Sequence, residues 1–150
     1  MRIAEVMTSG VTTVPPQTSA TDAWELMRLK GIHHLVVTEA SEVVGVLSAR
    51  DAGGRGGGSL RARSRVKDLM TTPVVTVKPT ETIRRVANLM RGRTIGCVPV
   101  VEHRRLRGIV TVSDLLALLG GGVDRPSKPS RHDLQYRSPH RKHHRAYGAW

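Results

Sequence analysis

Two short segments, residues 45–51 and 108–114, place a hydroxyl side chain three residues before a carboxylate. In the first, Ser48 precedes Asp51; in the second, Thr111 precedes Asp114. Each pair follows a glycine and two apolar residues, a pattern typical of a strand that runs into a helix. There the two side chains could cap the helix, or they could bind a ribose diol while free N–H groups of the turn hold an anion. The residues alone leave both interpretations open.

These segments, called the closing motifs below, belong to an internal repeat. A shift of 63 residues aligns residues 2–51 with residues 65–114 without a gap. The identical pairs include Met7 with Met70, Thr8 with Thr71, Pro16 with Pro79, and Gly45 with Gly108. Two copies of one supersecondary unit therefore form most of the chain. The glycine of each closing motif would permit close approach of a ligand or a neighbouring backbone.

Each copy has the pattern of a strand, a helix, two strands and a second helix. We expect first strands at 11–14 and 74–77, helices at 20–30 and 83–92, and strand pairs at 34–38 with 43–47 and 97–101 with 106–110. Ser19 and Thr82 are the expected helix N-caps. One copy of about 50 residues would bury too little surface to be stable, so the copies should share a core. The predicted fold class is α/β (α+β), built from two β-α-β-β-α units.

The remaining segments differ in composition. Residues 1–54 and 65–119 hold the repeats, residues 55–64 form a Gly/Arg-rich linker, and residues 120–150 form a basic tail that we expect to be flexible. The chain carries 24 Lys and Arg against 12 Asp and Glu, a net charge of +12. Such a charge favours binding to phosphate backbones. Phe is absent and only two Trp and two Tyr are present, so the aromatic platforms of single-strand binders are scarce.

Several function classes lack support in the sequence. We find no spacing typical of a nucleophilic triad, a Walker loop or a zinc-protease motif, and the glycine-rich stretch 53–58 lacks the Gly-Lys-Ser/Thr ending of a phosphate loop. We therefore predict a protein that is not an enzyme. One cysteine, Cys97, excludes an internal disulfide and is typical of a cytoplasmic protein. No apolar run reaches 18 residues, so no membrane partner is expected.

In combination, these features resemble a tandem pair of cystathionine-β-synthase (CBS) domains, often called a Bateman module. The resemblance covers about residues 2–119. It rests on the two closing motifs and on Val6-Met7-Thr8, Leu69-Met70-Thr71, Gly31-Ile32-His33-His34-Leu35-Val36-Val37 and Val98-Pro99-Val100-Val101. It implies two repeats packed with pseudo-twofold symmetry, an adenine nucleotide (AMP, ADP or ATP) or S-adenosylmethionine in the cleft between them, no further cofactor, and a homodimer. Val36 departs from the family pattern, which has a proline there, as at Pro99.

The resemblance also implies two ligand pockets, each built from both repeats. One would combine Thr111 and Asp114, as ribose contacts, with Val11, Thr12, Ile32, His33 and His34. The other would combine Ser48 and Asp51 with Val74, Val75, Ile95, Gly96 and Cys97. Aliphatic side chains can sandwich an adenine by dispersion and surface burial. We expect the Thr111 pocket to be the better formed, because glycines shorten the helix after Asp51 and could leave the Ser48 pocket open or empty.

Several residues admit more than one role. His33 and His34 could contact phosphates, ligate a metal or be ordinary strand-edge residues, although neighbours in a strand point to opposite faces. Cys97 is expected to be a small buried hydrophobe rather than a reactive thiol. The candidates for a phosphate-binding cation are Arg50, Lys30, Arg91 and Arg93. The tail histidines could capture a metal, but no metal site is predicted; a solvated tail, or contact with an acidic partner, is favoured.

Two functions follow from these observations. The favoured one is a stand-alone regulatory module that binds an adenosine-containing ligand and signals to an unidentified protein partner by conformational change. Such a switch requires different ligand affinities in the two arrangements. In the alternative, the fold is a dimeric scaffold, and the basic linker and tail bind nucleic acid or an acidic protein.

Overall fold

The fold is described for residues 1–121 of a computed structural model. A 3₁₀ turn at Ile3–Glu5 comes first. The elements that follow are β1 (Thr13–Val14), α1 (Ala20–Lys30), β2 (His34–Glu39), β3 (Glu42–Ser48), α2 (Gly58–Ala62), α3 (Val66–Leu69), α4 (Ile83–Arg93), β4 (Cys97–Glu102), β5 (Arg105–Thr111) and α5 (Val112–Gly121). The α/β class and the two-repeat order are confirmed. The expected tail, apart from the end of α5, lies outside the described residues.

The main helices and hairpins begin and end within a residue of their predicted positions. Ser19 accepts a hydrogen bond from the N–H of Asp22 (3.1 Å), and Thr82 accepts one from Arg85 (3.2 Å), so both expected N-caps are confirmed. Both hairpins are antiparallel, β2 with β3 and β4 with β5, and each carries one register shift at the equivalent place. The helix periodicity and the apolar runs of the two hairpins thus form the elements that they indicate.

The two first strands were predicted too long. The strand expected at 11–14 is limited to Thr13–Val14, which pairs in parallel with β2. The strand expected at 74–77 is reduced to a single bridge between Val77 and Val100. In the first repeat the N–H of Val36 donates to Thr12 O (3.3 Å). The equivalent residue of the second repeat is Pro99, which has no N–H to donate, so that rung of the ladder is missing.

The repeats exchange their opening segments. The N–H of Ile3 donates to Glu81 O (2.9 Å), and the N–H of Val66 donates to Thr18 O (2.8 Å). The 63-residue shift relates these two bonds, so each opening segment pairs with the other repeat under pseudo-twofold symmetry. The cores follow the same exchange: Ile3 is buried with α4, β4 and β5, whereas Val66 is buried with α1, β2 and β3.

The glycine of each closing motif accommodates this exchange. A Cβ on Gly108 would lie 2.8 Å from both the Met7 sulfur and the Thr8 carbonyl oxygen. A Cβ on Gly45 would lie 2.7 Å from the Met70 sulfur and 3.1 Å from the Thr71 carbonyl oxygen. The close approach expected at these glycines therefore involves the backbone of the exchanged segment.

A third cluster of buried side chains joins the repeats face to face. Its buried members are Val36, Val46, Cys97 and Ile109, one from each of the four hairpin strands. The three clusters are almost purely aliphatic, as the composition predicts. Burial of this apolar surface holds the two repeats together and adds stability that one copy alone would lack.

The segment expected to be a linker contains the short helix α2, which the glycine-rich sequence does not indicate. Its Arg61 is 7% exposed. The guanidinium donates to the carbonyl oxygens of Ala52 (2.8 Å) and Gly54 (2.6 Å) and lies 4.0 Å from the centre of the Trp24 ring. Arg61 thereby holds the glycine turn that replaces a closing helix in the first repeat.

Replacing Arg61 with alanine should lower the free energy of unfolding by about 2–3 kcal/mol. The change removes charge-assisted hydrogen bonds and a cation–π contact, and it takes the side-chain donor from the buried Ala52 carbonyl, whereas the Gly54 carbonyl keeps the N–H of Gly57 (3.2 Å). Urea unfolding of the full chain measures this difference. The matched control is Arg63→Ala, an exposed arginine two residues away, which should change stability by no more than about 0.5 kcal/mol. Equal effects of the two changes would contradict this role of Arg61.

Candidate functional site

Thr111 and Asp114 form a reciprocal cap where β5 passes into α5. The N–H of Thr111 donates to Asp114 Oδ2 (2.8 Å), and the N–H of Asp114 donates to Thr111 Oγ1 (3.3 Å). The Thr111 hydroxyl also donates to Asp114 Oδ2 (3.2 Å). The capping interpretation of the motif is therefore correct, and it fixes hydroxyl and carboxylate side by side.

Ser48 and Asp51 form the same cap, although a turn rather than an α-helix follows them. The N–H of Ser48 donates to Asp51 Oδ2 (3.1 Å), and the N–H of Asp51 donates to Ser48 Oγ (2.9 Å). The shortened helix predicted after Asp51 is confirmed, since residues 49–53 form turns. The cap is therefore intact although the helix that should follow it is shortened.

The exchanged segments supply a further hydroxyl to each carboxylate. Thr8 Oγ1 donates to Asp114 Oδ1 (3.3 Å), and Thr71 Oγ1 donates to Asp51 Oδ2 (3.2 Å). Sequence reasoning did not place Thr8 or Thr71 at the site. The sequence does show a Met-Thr pair at equivalent positions of the two repeats. It does not show that each threonine contacts the capping aspartate of the other repeat.

The backbone N–H groups of these turns are mostly bonded within the protein, so they are poorly placed to bind an anion. Besides the two N–H groups used in each cap, the N–H of Ala49 donates to His33 O (2.9 Å) and that of Val112 donates to Gly96 O (3.1 Å). Most N–H groups at the head of each closing motif are therefore already bonded within the protein. A ligand anion would depend on side chains for its counter-charge.

A cleft of about 610 Å³, the Thr111 cleft, lies between the repeats. All seven residues predicted for this pocket line it: Thr111, Asp114, Val11, Thr12, Ile32, His33 and His34. Sequence reasoning missed Thr8, Gly10, Gly96, Ile109, Val112, Ser113 and Leu116, which complete its lining. The first repeat thus contributes one wall and the second repeat the other.

A second cleft of about 470 Å³, the Ser48 cleft, repeats this arrangement with the roles of the repeats reversed. All seven predicted residues line it: Ser48, Asp51, Val74, Val75, Ile95, Gly96 and Cys97. His34, Val46, Arg50, Thr71, Pro73 and Thr94 were not assigned to it. The cleft exists, so the shortened helix does not abolish it. His34 and Gly96 line both clefts.

Of the four candidate cations, the structure places one in a cleft. Arg50 lines the Ser48 cleft. Lys30, Arg91 and Arg93 are exposed and line neither cleft. Of the four candidates for a phosphate-binding cation, Arg50 is therefore the one that lines a cleft.

His34 is unsuited to neutralising a phosphate at neutral pH. Burial, followed by the neighbouring His33, lowers the pKa of His34 to about 4, and the opposing attraction of Asp51 is smaller. Its imidazole is therefore uncharged at pH 7, and it lines both clefts. Within residues 1–121 no three His, Cys, Asp or Glu side chains cluster as metal ligands. The tail histidines lie outside the described residues.

Cys97 occupies the position equivalent to His34 and is buried between the repeats. Burial and the nearby Asp114 raise the pKa of its thiol to about 12. The thiolate is the reactive form of cysteine, so Cys97 is protonated and unreactive at pH 7. The prediction of a small buried hydrophobe is confirmed.

The low pKa of His34 predicts a loss of stability in acid. An unfolded chain protonates this histidine near pH 6.5 and the folded chain only near pH 4, so stability present above pH 6.5 is lost as pH falls. Between about pH 7.5 and pH 5 the loss should be about 2 kcal/mol. Urea unfolding at both pH values checks this. His34→Asn should remove most of this loss, while the control His103→Asn, a change to an exposed histidine outside both clefts, should retain it; equal pH dependence in all three proteins would contradict it.

Two duplicated β-α-β-β-α units with cross-repeat clefts define a CBS domain pair. The CBS domain family profile matches residues 3–52 and 66–121, and the chain belongs to this family. The chain is 48% identical over 52 residues to the CBS domain-containing protein YhcV of Bacillus subtilis, covering 35% of this chain and 37% of that protein. It is 38% identical over 106 residues to inosine-5'-monophosphate dehydrogenase of Korarchaeum cryptofilum, covering 70% of this chain and 21% of that enzyme.

Solved structures show the same architecture. The CBS domain pair of protein MJ0100, in complex with 5'-methylthioadenosine and S-adenosyl-L-methionine, has a TM-score of 0.73 at 26% identity, covering 81% of this chain and 97% of that one. CBSX2 in complex with AMP has a TM-score of 0.68 at 26% identity, covering 79% and 95%. Within the described part of the chain, no helix is long and apolar enough to span a membrane.

Proposed function

We propose that this chain is a regulatory CBS pair that binds an adenosine-containing ligand, such as AMP, ADP or ATP, in the clefts between its repeats. The observation that carries the proposal is the pairing within each cleft of a hydroxyl–carboxylate cap from one repeat with an aliphatic wall from the other. Two relatives of the same fold are in complex with adenosine-containing molecules, which supports this ligand class. The module itself carries out no reaction in this proposal.

The cap and the wall recognise different parts of a nucleoside. A carboxylate accepts about four hydrogen bonds, and Asp114 receives three from the protein. It retains capacity for a ribose hydroxyl. Val11 and Ile32 line the same cleft and can bury the faces of an adenine without aromatic stacking.

Ligand binding would bias the angle between the repeats. A nucleoside in either cleft touches both repeats, so its affinity depends on their separation. The two arrangements are then populated according to their difference in affinity. An unidentified protein partner would respond to this change.

Each aspartate should be required for one nucleoside site. Titration calorimetry of the full chain with adenosine should show two sites, and Asp114→Ala or Asp51→Ala should each remove one. Loss of hydrogen bonds to a charged acceptor should weaken binding by roughly tenfold or more. Asp68→Ala is the matched control, because Asp68 caps α3 through the N–H of Arg65 (2.8 Å) but lines neither cleft.

Failure of adenosine to bind at millimolar concentration would contradict the proposal. The closing motifs would then be helix caps alone, and the scaffold alternative, in which the basic linker and tail bind nucleic acid or an acidic protein, would be favoured. An equal loss of binding in the Asp68 variant would show that the aspartates act only through stability.

We also propose that the module is a homodimer. Leu119 of α5 is 82% exposed and lines neither cleft. A second copy could cover this apolar surface. Light scattering should give twice the chain mass of 16.4 kDa, and Leu119→Glu should give the monomer mass. A monomeric parent protein, or a Leu119→Glu variant that stays dimeric, would contradict this interface.

A further inference from the structure

Each cleft has an equivalent hydroxyl–carboxylate cap, but the two clefts differ in charge. Arg50 lines the Ser48 cleft, two residues after the cap hydroxyl. The equivalent residue of the Thr111 cleft is Ser113. Among the described lining residues, the Ser48 cleft therefore has one cation beside Asp51, whereas the Thr111 cleft has Asp114 and neither lysine nor arginine.

The backbone does not compensate for this difference. In both closing motifs the first two N–H groups and the N–H of the aspartate are bonded within the protein. His34 lies in both clefts and is uncharged at neutral pH. Arg50 is consequently the lysine or arginine side chain that distinguishes the two clefts toward an anion, and His33 lines the Thr111 cleft only.

The clefts also differ in apolar lining. Helix α5 presents Val112 and Leu116 to the Thr111 cleft. The equivalent residues of the first repeat are Ala49 and Gly53, and neither lines the Ser48 cleft. The chain forms a glycine turn there instead of a helix. One cleft thus offers extra aliphatic surface, and the other offers a positive charge.

We propose that the clefts select different adenosine ligands: the Ser48 cleft takes a 5'-phosphorylated nucleoside, and the Thr111 cleft takes one whose 5' substituent is uncharged and apolar, such as a thioether. The inference rests on the proposed function. A phosphate in the Ser48 cleft can pair with the guanidinium of Arg50. In the Thr111 cleft it would face Asp114 with no lysine or arginine in the lining, whereas an apolar substituent would bury surface against Val112 and Leu116.

The test exchanges the distinguishing residues. AMP and 5'-methylthioadenosine are titrated into the full chain and into Arg50→Ser, Ser113→Arg and the doubly exchanged variant. In the parent protein, AMP should fill one site, which Asp51→Ala removes and Asp114→Ala leaves. Arg50→Ser should weaken AMP binding by roughly tenfold or more and change adenosine binding by no more than about twofold. Ser113→Arg should create a second AMP site.

The thioether ligand, 5'-methylthioadenosine, should show the opposite preference between the two clefts. 5'-Methylthioadenosine should bind more tightly in the Thr111 cleft, and Leu116→Ala should reduce that preference. Arg91→Ser, a change to an exposed arginine outside both clefts, is the control and should leave all affinities unchanged. Equal AMP affinity of the two clefts in the parent protein, or no effect of Arg50→Ser on AMP, overturns this inference alone. Absence of adenosine binding in both clefts overturns the proposed function.

Discussion

The structure depends on the pairing of each opening segment with the closing strand of the other repeat. Thr8 exchanges two backbone hydrogen bonds with Ile109 (2.9 and 3.0 Å), and Thr71 exchanges two with Val46 (2.8 and 3.3 Å). The pairing places a threonine hydroxyl on each capping aspartate and requires glycine on the closing strand. It also makes each core incomplete without the other repeat. The clefts between repeats are a consequence of the same exchange.

The departures from symmetry originate at a few positions. Pro99 cannot donate the hydrogen bond that Val36 provides, so the second repeat has no first strand comparable to β1. Gly53 stands where the second repeat has Leu116, and a turn replaces the helix. Arg61 then stabilises that turn from the segment between the repeats. These differences alter the chemistry of each cleft while the caps remain equivalent.

Much of the fold follows from local patterns in the sequence. The bounds of α1 and α4, their caps and both hairpins depend on periodicity and on residues close in the chain. The repeat, together with the family resemblance, places fourteen residues in two groups, and each group lines one of the clefts. What the sequence did not reveal depends on long-range contacts: the exchange of the opening segments, the hydroxyls of Thr8 and Thr71, and the burial of Arg61 against Trp24. Helix α2 was missed because glycine and arginine residues carry no apolar periodicity.

A ligand in either cleft should contact both repeats at once. Amide hydrogen exchange of the full chain, with and without saturating adenosine, measures this contact. We expect exchange to slow together in residues 8–12 and 111–114 for the Thr111 cleft, and in residues 48–51 and 71–75 for the Ser48 cleft. Protection confined to one repeat at either cleft, or no change at a saturating concentration, would contradict it.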